Sequence, residues 1–276
     1  MINRKKKVCI ISALIAIFSI YLVWGTNSIS ISRYSIENSS IPESFKGFRI
    51  VQVSDLHNKE FGKDQRILMK KIEKEKPDII VVTGDLVDRR KWGTKNAMSF
   101  IDRAMEIAPV YYVSGNHEVW SGKYSIVRNK LLEKGVYVLD DDTVEIKNKN
   151  SHIFISGIID TGYEDRENYV ADILSKVSKD IDDNTFSILL SHRPEHIKDY
   201  SKAGFDLVFS GHAHGGQIRF PFIGGVYAPH QGFMPKYTSG MYQMKNTFMV
   251  VSRGLGNSII PIRFMNRPEI TVTELR

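Results

Sequence analysis

Cysteine is almost missing from this sequence. Cys9 is the only one in 276 residues, and it lies in the apolar N-terminal segment. The rest of the chain can therefore form no disulfide and no thiolate metal site. A cysteine-free globular part suits an oxidising exterior without requiring one. Acidic residues are absent from the first 27 positions, which carry Arg4, Lys5, Lys6 and Lys7. That block accounts for much of the formal charge of +7; without it, 34 basic residues face 31 acidic ones. The remainder has no clustered basic face, so no nucleic-acid partner is expected. No internal repeat or low-complexity run interrupts the chain. Its length allows one large domain or two small ones, and 42% apolar residues suit a folded core.

Val8 to Trp24 is a mostly apolar run, broken only by Ser12, Ser19 and the Tyr21 hydroxyl. Its length is the short end for a bilayer-spanning helix. The basic block in front of it leaves the N-terminus in the cytoplasm and sends the rest outward. A retained signal anchor is the favoured reading. A cleaved signal peptide and a buried core helix are the alternatives; Gly25-Thr26-Asn27-Ser28 offers small residues but no clear A-x-A cleavage site. The expected organisation is a basic tail and transmembrane anchor over 1–27, a tether or edge strand over 28–47, and one catalytic domain over 48–276. Ile29, Ile31, Tyr34 and Ile36 favour a short strand in the second of these.

In the globular part, apolar β-branched runs alternate with segments of helical spacing. Strands are expected at 48–53, 79–83, 110–113, 136–139, 143–147, 153–158, 187–190 and 207–210, and helices at 65–74, 96–107, 124–134 and 168–178. Strands dominate from Gln217 onward. Alternation early and clustering of strands late suggest two sheets packed face to face with helices outside. Ligands gather at the carboxyl ends of such strands.

Six polar stretches follow that rule, most of them directly after a strand run: Asp55-Leu56-His57, Gly84-Asp85-Leu86-Val87-Asp88, Gly115-Asn116-His117-Glu118, Ser191-His192-Arg193-Pro194, Gly211-His212 and Ala213-His214. Five of the eight histidines fall in them. Asp55 and His57 can reach one ion from an extended loop. A carboxylate at Asp85 can bridge two ions with its two oxygens. Asn116 offers a neutral oxygen ligand, and His117 beside it can face substrate. His212 and His214 present two imidazoles on one segment. Oxygen and imidazole donors assembled from many loops suit a two-metal hydrolytic site. Taken singly, an Asp after a strand is usually a turn or cap residue, and Asn116 alone reads as a turn.

The set D-x-H, G-D-x-x-D, G-N-H-E, a lone downstream His and G-H-x-H resembles the calcineurin-like metallophosphoesterases in order and rough spacing from residue 50 to 214. Gly215-Gly216-Gln217-Ile218-Arg219, Ser252-Arg253-Gly254-Leu255-Gly256 and Pro268-Glu269-Ile270 resemble its bacterial membrane-anchored or exported phosphodiesterase branch, the YkuE/YaeI type. The resemblance implies a four-layer α/β/β/α sandwich of two mixed sheets flanked by helices, the metallo-dependent phosphatase fold, here behind one N-terminal transmembrane helix. It implies one metal on Asp55, His57, Asp85 and His214 and a second on Asp85, Asn116, His192 and His212. The ions would be Mn, with Fe or Zn as alternatives, and a bridging hydroxide would attack phosphorus. His117 resembles the general acid, with Asp88 orienting it by a hydrogen bond.

Outside that set, Arg193 and Arg253 are candidates for phosphate contact or for structural pairing, and His230 for lining the substrate cleft. His196 reads as packing or solvated, His152 as solvated, and Asp140-Asp141-Asp142 as a solvated turn. Phe220, Phe222, Ile223, Val226 and Tyr227 form either core strand and turn or a cleft border for an apolar, lipid-linked substrate. The expected activity is hydrolysis of a phosphodiester outside the membrane. A hydrolase of a lipid-linked nucleotide such as UDP-2,3-diacylglucosamine is a second enzymatic reading, met on the cytoplasmic side. A membrane- or wall-associated binding scaffold is the non-catalytic one.

Overall fold

The computed structural model describes residues 3–162, 169–182, 184–257 and 261–276. In chain order, helix α1 (Arg4–Asn27) leads into strand β1 (Ser30–Ile36), then β2 (Arg49–Val53), α2 (Arg66–Glu75), β3 (Ile79–Thr83), α3 (Lys95–Met105), β4 (Val110–Val113), α4 (Asn116–Trp120) and α5 (Tyr124–Glu133). The chain continues with β5 (Tyr137–Val138), β6 (Asp142–Asn148), β7 (Ser151–Gly157), α6 (Tyr169–Ser178), β8 (Ser187–Leu190), α7 (Ile197–Lys202) and β9 (Leu207–Ser210). Two short hairpins follow, β10 (Arg219–Phe220) with β11 (Gly224–Gly225) and β12 (Tyr227–Ala228) with β13 (Gly232–Phe233). The last strands are β14 (Gly240–Met244), β15 (Thr247–Val251) and β16 (Glu269–Leu275).

The strands form two six-stranded mixed sheets, ordered β1-β16-β2-β3-β4-β5 and β14-β15-β9-β8-β7-β6. In the first, β2 to β5 are parallel and β16 runs antiparallel to β2. In the second, β15, β9, β8 and β7 are parallel, with antiparallel edges at β14 and β6. Side chains alternate across each strand with period two, and the sequence fills both faces with apolar residues. Ile50, Ile79, Val81, Tyr111 and Val113 face Ile188, Leu190, Leu207, Phe209 and Val250 between the sheets. The opposite parity, Val51, Val53, Ile80, Val82 and Tyr112, packs on Leu68 and Ile72 of α2, Phe100 and Ile101 of α3 and Leu131 of α5. Leu189, Val208, Met249 and Val251 pack on Leu174 of α6 and Ile197 and Tyr200 of α7. Each such aliphatic side chain contributes about 1.5–3 kcal/mol on burial. This is the expected four-layer α/β/β/α sandwich.

The helix at α7 is not marked by the sequence pattern: it has six residues and follows a 3-10 turn that begins at Pro194. Asn168, where the helix before β8 is expected to begin, lies outside the described residues. The Asp140–Asp142 turn is more than a solvated one. Asp140 accepts hydrogen bonds from Tyr124 Oη and, at 2.7 Å, Arg128 Nε, and Asp141 caps the Ile159 amide at 2.9 Å. Near the ligand-bearing strand ends, Gln52 ties the sheets together: its Nε2 donates to Thr83 Oγ1 at 2.9 Å and to the Ser210 carbonyl at 2.8 Å across the interface.

Candidate metal centre

The parallel strands deliver their candidate ligands at their carboxyl ends. Asp55 and His57 follow β2, Asp85 follows β3, Asn116 and His117 follow β4, His192 follows β8, and His212 and His214 follow β9. All of them are buried. Five of these side chains sit on backbone in the left-handed region: Asp55 (φ 50°), His57 (50°), Asp85 (52°), His212 (67°) and His214 (48°). Non-glycine residues held there cost on the order of 1–3 kcal/mol each, and such strain clusters at functional sites.

Asp85 stands between two groups. On one side, its Oδ2 is 3.6 Å from His57 Nε2, which faces His214 Nε2 at 3.2 Å, and His214 Nε2 lies 3.3 Å from Asp55 Oδ1. On the other, the same Oδ2 is 3.4 Å from His192 Nε2, which faces Asn116 Oδ1 at 3.2 Å and His212 Nδ1 at 3.0 Å. His192 Nδ1 donates to the Thr83 carbonyl at 2.7 Å, which fixes Nε2 as the atom turned into the group. The expected ligand set is thus brought together entire, in two clusters sharing one carboxylate.

The electrostatics follow from burial among opposite charges. Burial would raise Asp85, but His192, His57 and His117 outweigh it and hold the carboxyl well below its ordinary range. Burial would lower His192, yet Asp85 and Asp55 carry it up to about 10. Burial takes His57 down to about 4 and His212 and His214 well below their usual value. It raises Asp55 to about 6, with the Asp85 charge adding to the rise. The neutral imidazoles of His57, His212 and His214 beside the ionised Asp85 are donors of the kind a divalent cation requires, whereas His192 would have to release its proton to join them. Ring nitrogens converge in pairs, 3.2 Å apart between His57 and His214 and 3.0 Å apart between His192 and His212. Imidazole nitrogen, carboxylate and amide oxygen without thiolate fit Mn, Fe or Zn and not a soft metal.

Glu118 is legible in the sequence only as part of its motif, and the structure shows its work. Its Oε2 accepts the amides of Asp85 and Gly115, each at 2.8 Å, and Oε1 accepts that of Val87 at 2.9 Å. It is the third residue of α4, the capping-box position, and it holds the Asp85 loop as well as its own helix end. Burial and the Asp85 charge push it up to about 8. Gly115 has to be glycine: a Cβ there would lie 2.9 Å from Asp85 Cγ.

His117 lies beside the first cluster, its ring 4.5 Å from that of His57. Its Nδ1 accepts from the Arg89 amide at 3.3 Å, while Asp88 Oδ1 stands 3.7 Å away, beyond hydrogen-bond length. The expected Asp88–His117 hydrogen bond is therefore not formed; Asp88 Oδ1 is held by the amides of Arg90 (2.7 Å) and Lys91 (3.3 Å).

The outlying candidates divide. Arg193 is buried and bound to Asp160 through two hydrogen bonds (2.7 and 3.0 Å) and to the Gly162 carbonyl (2.9 Å). Arg253 pairs with Glu269 at 2.7 Å and Ser30 at 3.1 Å. Both guanidinium groups thus take the structural pairing that the sequence left open. Asp160, 33 residues from Arg193, carried no signal of its own. His230 reaches the centre: its Nδ1 is 2.9 Å from His212 Nε2, and with Glu195 and His212 it forms a further cluster of possible ligands. His152 is exposed, and His196 is half-buried against Tyr200.

Comparison with known proteins bears on this geometry. The family model described as calcineurin-like phosphoesterase matches residues 48–216. The chain is 36% identical to the Uncharacterized metallophosphoesterase YkuE of Bacillus subtilis (strain 168), over 90% of this chain and 86% of that one. It is 29% identical to the Uncharacterized metallophosphoesterase Cj0846 of Campylobacter jejuni, over 94% of this chain and 68% of that one. Among solved structures, TT1561 of Thermus thermophilus superposes with a TM-score of 0.51 at 14% identity, covering 75% of this chain and 90% of the other, a likeness of fold.

Proposed function

We propose, for a chain that belongs to the calcineurin-like phosphoesterase family, that it is a membrane-anchored, dinuclear metal-dependent phosphodiesterase. The observation that carries this reading is the position of Asp85 Oδ2 within 3.6 Å of His57 Nε2 and 3.4 Å of His192 Nε2. One ion would be held by Asp55, His57, Asp85 and His214, the other by Asp85, Asn116, His192 and His212, with manganese as the preferred metal. When bound, such a pair supplies Lewis-acid charge for a phosphoryl oxygen and an acidified water for in-line attack.

The protein's own groups supply the rest. His117 is the general acid for the leaving alkoxide. Protonation of its ring puts a proton on Nδ1, where the Arg89 amide now points; the Asp88 carboxylate, 3.7 Å away, is the acceptor that would close on it. Catalytic hydrogen bonds are often long in the free enzyme and tighten with substrate. Asp88 is in this sense a positioning residue. His230 borders the substrate side, against His212. Arg193 and Arg253 set the walls through Asp160 and Glu269. α1 is the anchor, and its basic flank keeps the N-terminus in the cytoplasm and the catalytic domain outside.

The test is to strip the full-length protein with chelator, verify removal by elemental analysis, and assay aryl phosphodiester and aryl phosphomonoester substrates with and without added Mn²⁺. Hydrolysis should vanish, return with Mn²⁺, and favour the diester. Undiminished turnover by the verified metal-free protein would overturn the mechanism, and preference for the monoester would overturn the diesterase assignment.

A further inference from the structure

We infer that the two hairpins β10–β11 and β12–β13, together with the loop at 261–265, form a docking face for the lipid bilayer, seated in the leaflet where α1 emerges. The inference rests on α1 being the membrane anchor.

The face is apolar and open. Phe222 is fully exposed, Phe233 is 79% exposed, and Met234, Ile223, Phe220, Tyr227, Ile262 and Met265 are exposed around them. Water-soluble surfaces rarely leave so many large apolar side chains together without an occupant. Val226 joins the two hairpins: its amide donates to the Ile218 carbonyl at 2.9 Å and its carbonyl accepts from Met234 at 3.0 Å.

The depth of the face identifies the occupant. Phe264 packs on Phe18 and Tyr21 of α1, with ring centroids 6.2 and 6.0 Å apart, and on Phe220 of β10 at 5.7 Å. Phe18 lies six residues before Trp24, the end of the apolar run. At 1.5 Å per residue the Phe264 contact thus sits about 9 Å below the point where the run ends. The side chains beside Phe264 are carried to the level of the acyl-chain boundary with it. Arg267 stacks over Trp24 at 4.8 Å, a cation placed where an interfacial aromatic is expected.

Charge agrees with this placement. From Leu207 to Pro268 there is no Asp or Glu, while Arg219, Lys236, Lys245, Arg253, Arg263 and Arg267 fall within the stretch. Of these, Lys236 is exposed two residues after Met234 and Arg267 lies by Trp24, while Arg263 is buried and Arg253 is paired with Glu269; hairpins and a loop free of acid meet anionic headgroups without repulsion. The same hairpin that carries Phe233 carries His230, 2.9 Å from His212. Docking therefore sets the mouth of the metal centre at headgroup level, suited to a phosphoester borne by a membrane lipid.

The experiment uses the full chain in vesicles of phosphatidylcholine and phosphatidylglycerol, in a Cys9→Ser background. A nitroxide is attached at Phe222→Cys, at Phe233→Cys, or at Lys147→Cys, which is exposed near the β6–β7 turn at the far end of the second sheet. Collision with oxygen is compared with collision with a water-soluble nickel chelate. The oxygen-to-nickel ratio at 222 and 233 should exceed that at 147 several-fold. Equal ratios at all three sites, in protein that floats with the vesicles, would overturn the docking while leaving the anchor in place. Shielding of 222 from both reagents would assign the face to a protein partner and overturn it as well. None of these readings depends on hydrolysis, so failure of the docking and failure of the phosphodiesterase proposal are told apart.

Discussion

The two sheets bring different chemistry to one centre. Loops of the first sheet supply both carboxylates, Asp55 and Asp85, with His57 and the amide of Asn116; loops of the second supply His192, His212 and His214 and no carboxylate to either cluster. Both carboxylates of the two clusters thus come from one wall, and the other closes them with imidazole. Neither wall is a site alone. The clamp between them is local: His192 Nδ1 on the Thr83 carbonyl at 2.7 Å, and Gln52 on Ser210 at 2.8 Å. Charge and enclosure are therefore separable contributions, which substitution can pull apart.

Asp85→Asn attacks the charged wall at the oxygen common to both clusters. It should remove both ions and reduce turnover by about 1000-fold or more, equivalent to about 4 kcal/mol of transition-state stabilisation. Metal content by elemental analysis and hydrolysis of an aryl phosphodiester check both expectations. His212→Ala, on the imidazole wall, should empty one position and spare the other, with an affinity loss of about 100-fold. Loss of both ions from His212→Ala would erase the contrast between the walls.

His117→Ala divides the charged wall further. This residue belongs to that wall, and as the proposed acid it would carry a proton in place of a metal. The variant should keep its metal and slow by about 100-fold on substrates with poor leaving groups, and much less on good ones. An equal loss across a leaving-group series would end its role as acid.

The strands at 79–83, 187–190 and 207–210 were legible to the residue, because parallel strands covered on both faces read as unbroken apolar runs. The clustering of Asp55, His57, Asp85, His192, His212 and His214 was legible because carboxylate and histidine recur at the ends of strand runs, and such ends converge in a sheet of this kind. What escaped depended on partners distant in sequence. Arg193 is decided by Asp160, and Arg253 by Glu269. Glu118 shows its role only once the amides of Asp85 and Val87 are within reach. α7 has six residues, too few for a periodic pattern to register. The expected bond from Asp88 to His117 fails for a local reason, since the amides just beyond Asp88 take its oxygen first.

The junction of α1 with the sandwich has no slack. Only Ser28 and Ile29 separate the helix from β1; Ile29 is buried, Arg267 holds the Ser28 carbonyl at 3.0 Å, and Lys59 and Arg263 both bond Thr26, at 2.7 and 3.1 Å. With α1 in a bilayer, such a protein rides on a mast and not on a leash. Its reach above the surface would then be fixed, its search for a membrane-borne substrate would be confined to two dimensions, and its encounter rate would scale with the number of target molecules per unit of membrane area instead of their bulk concentration.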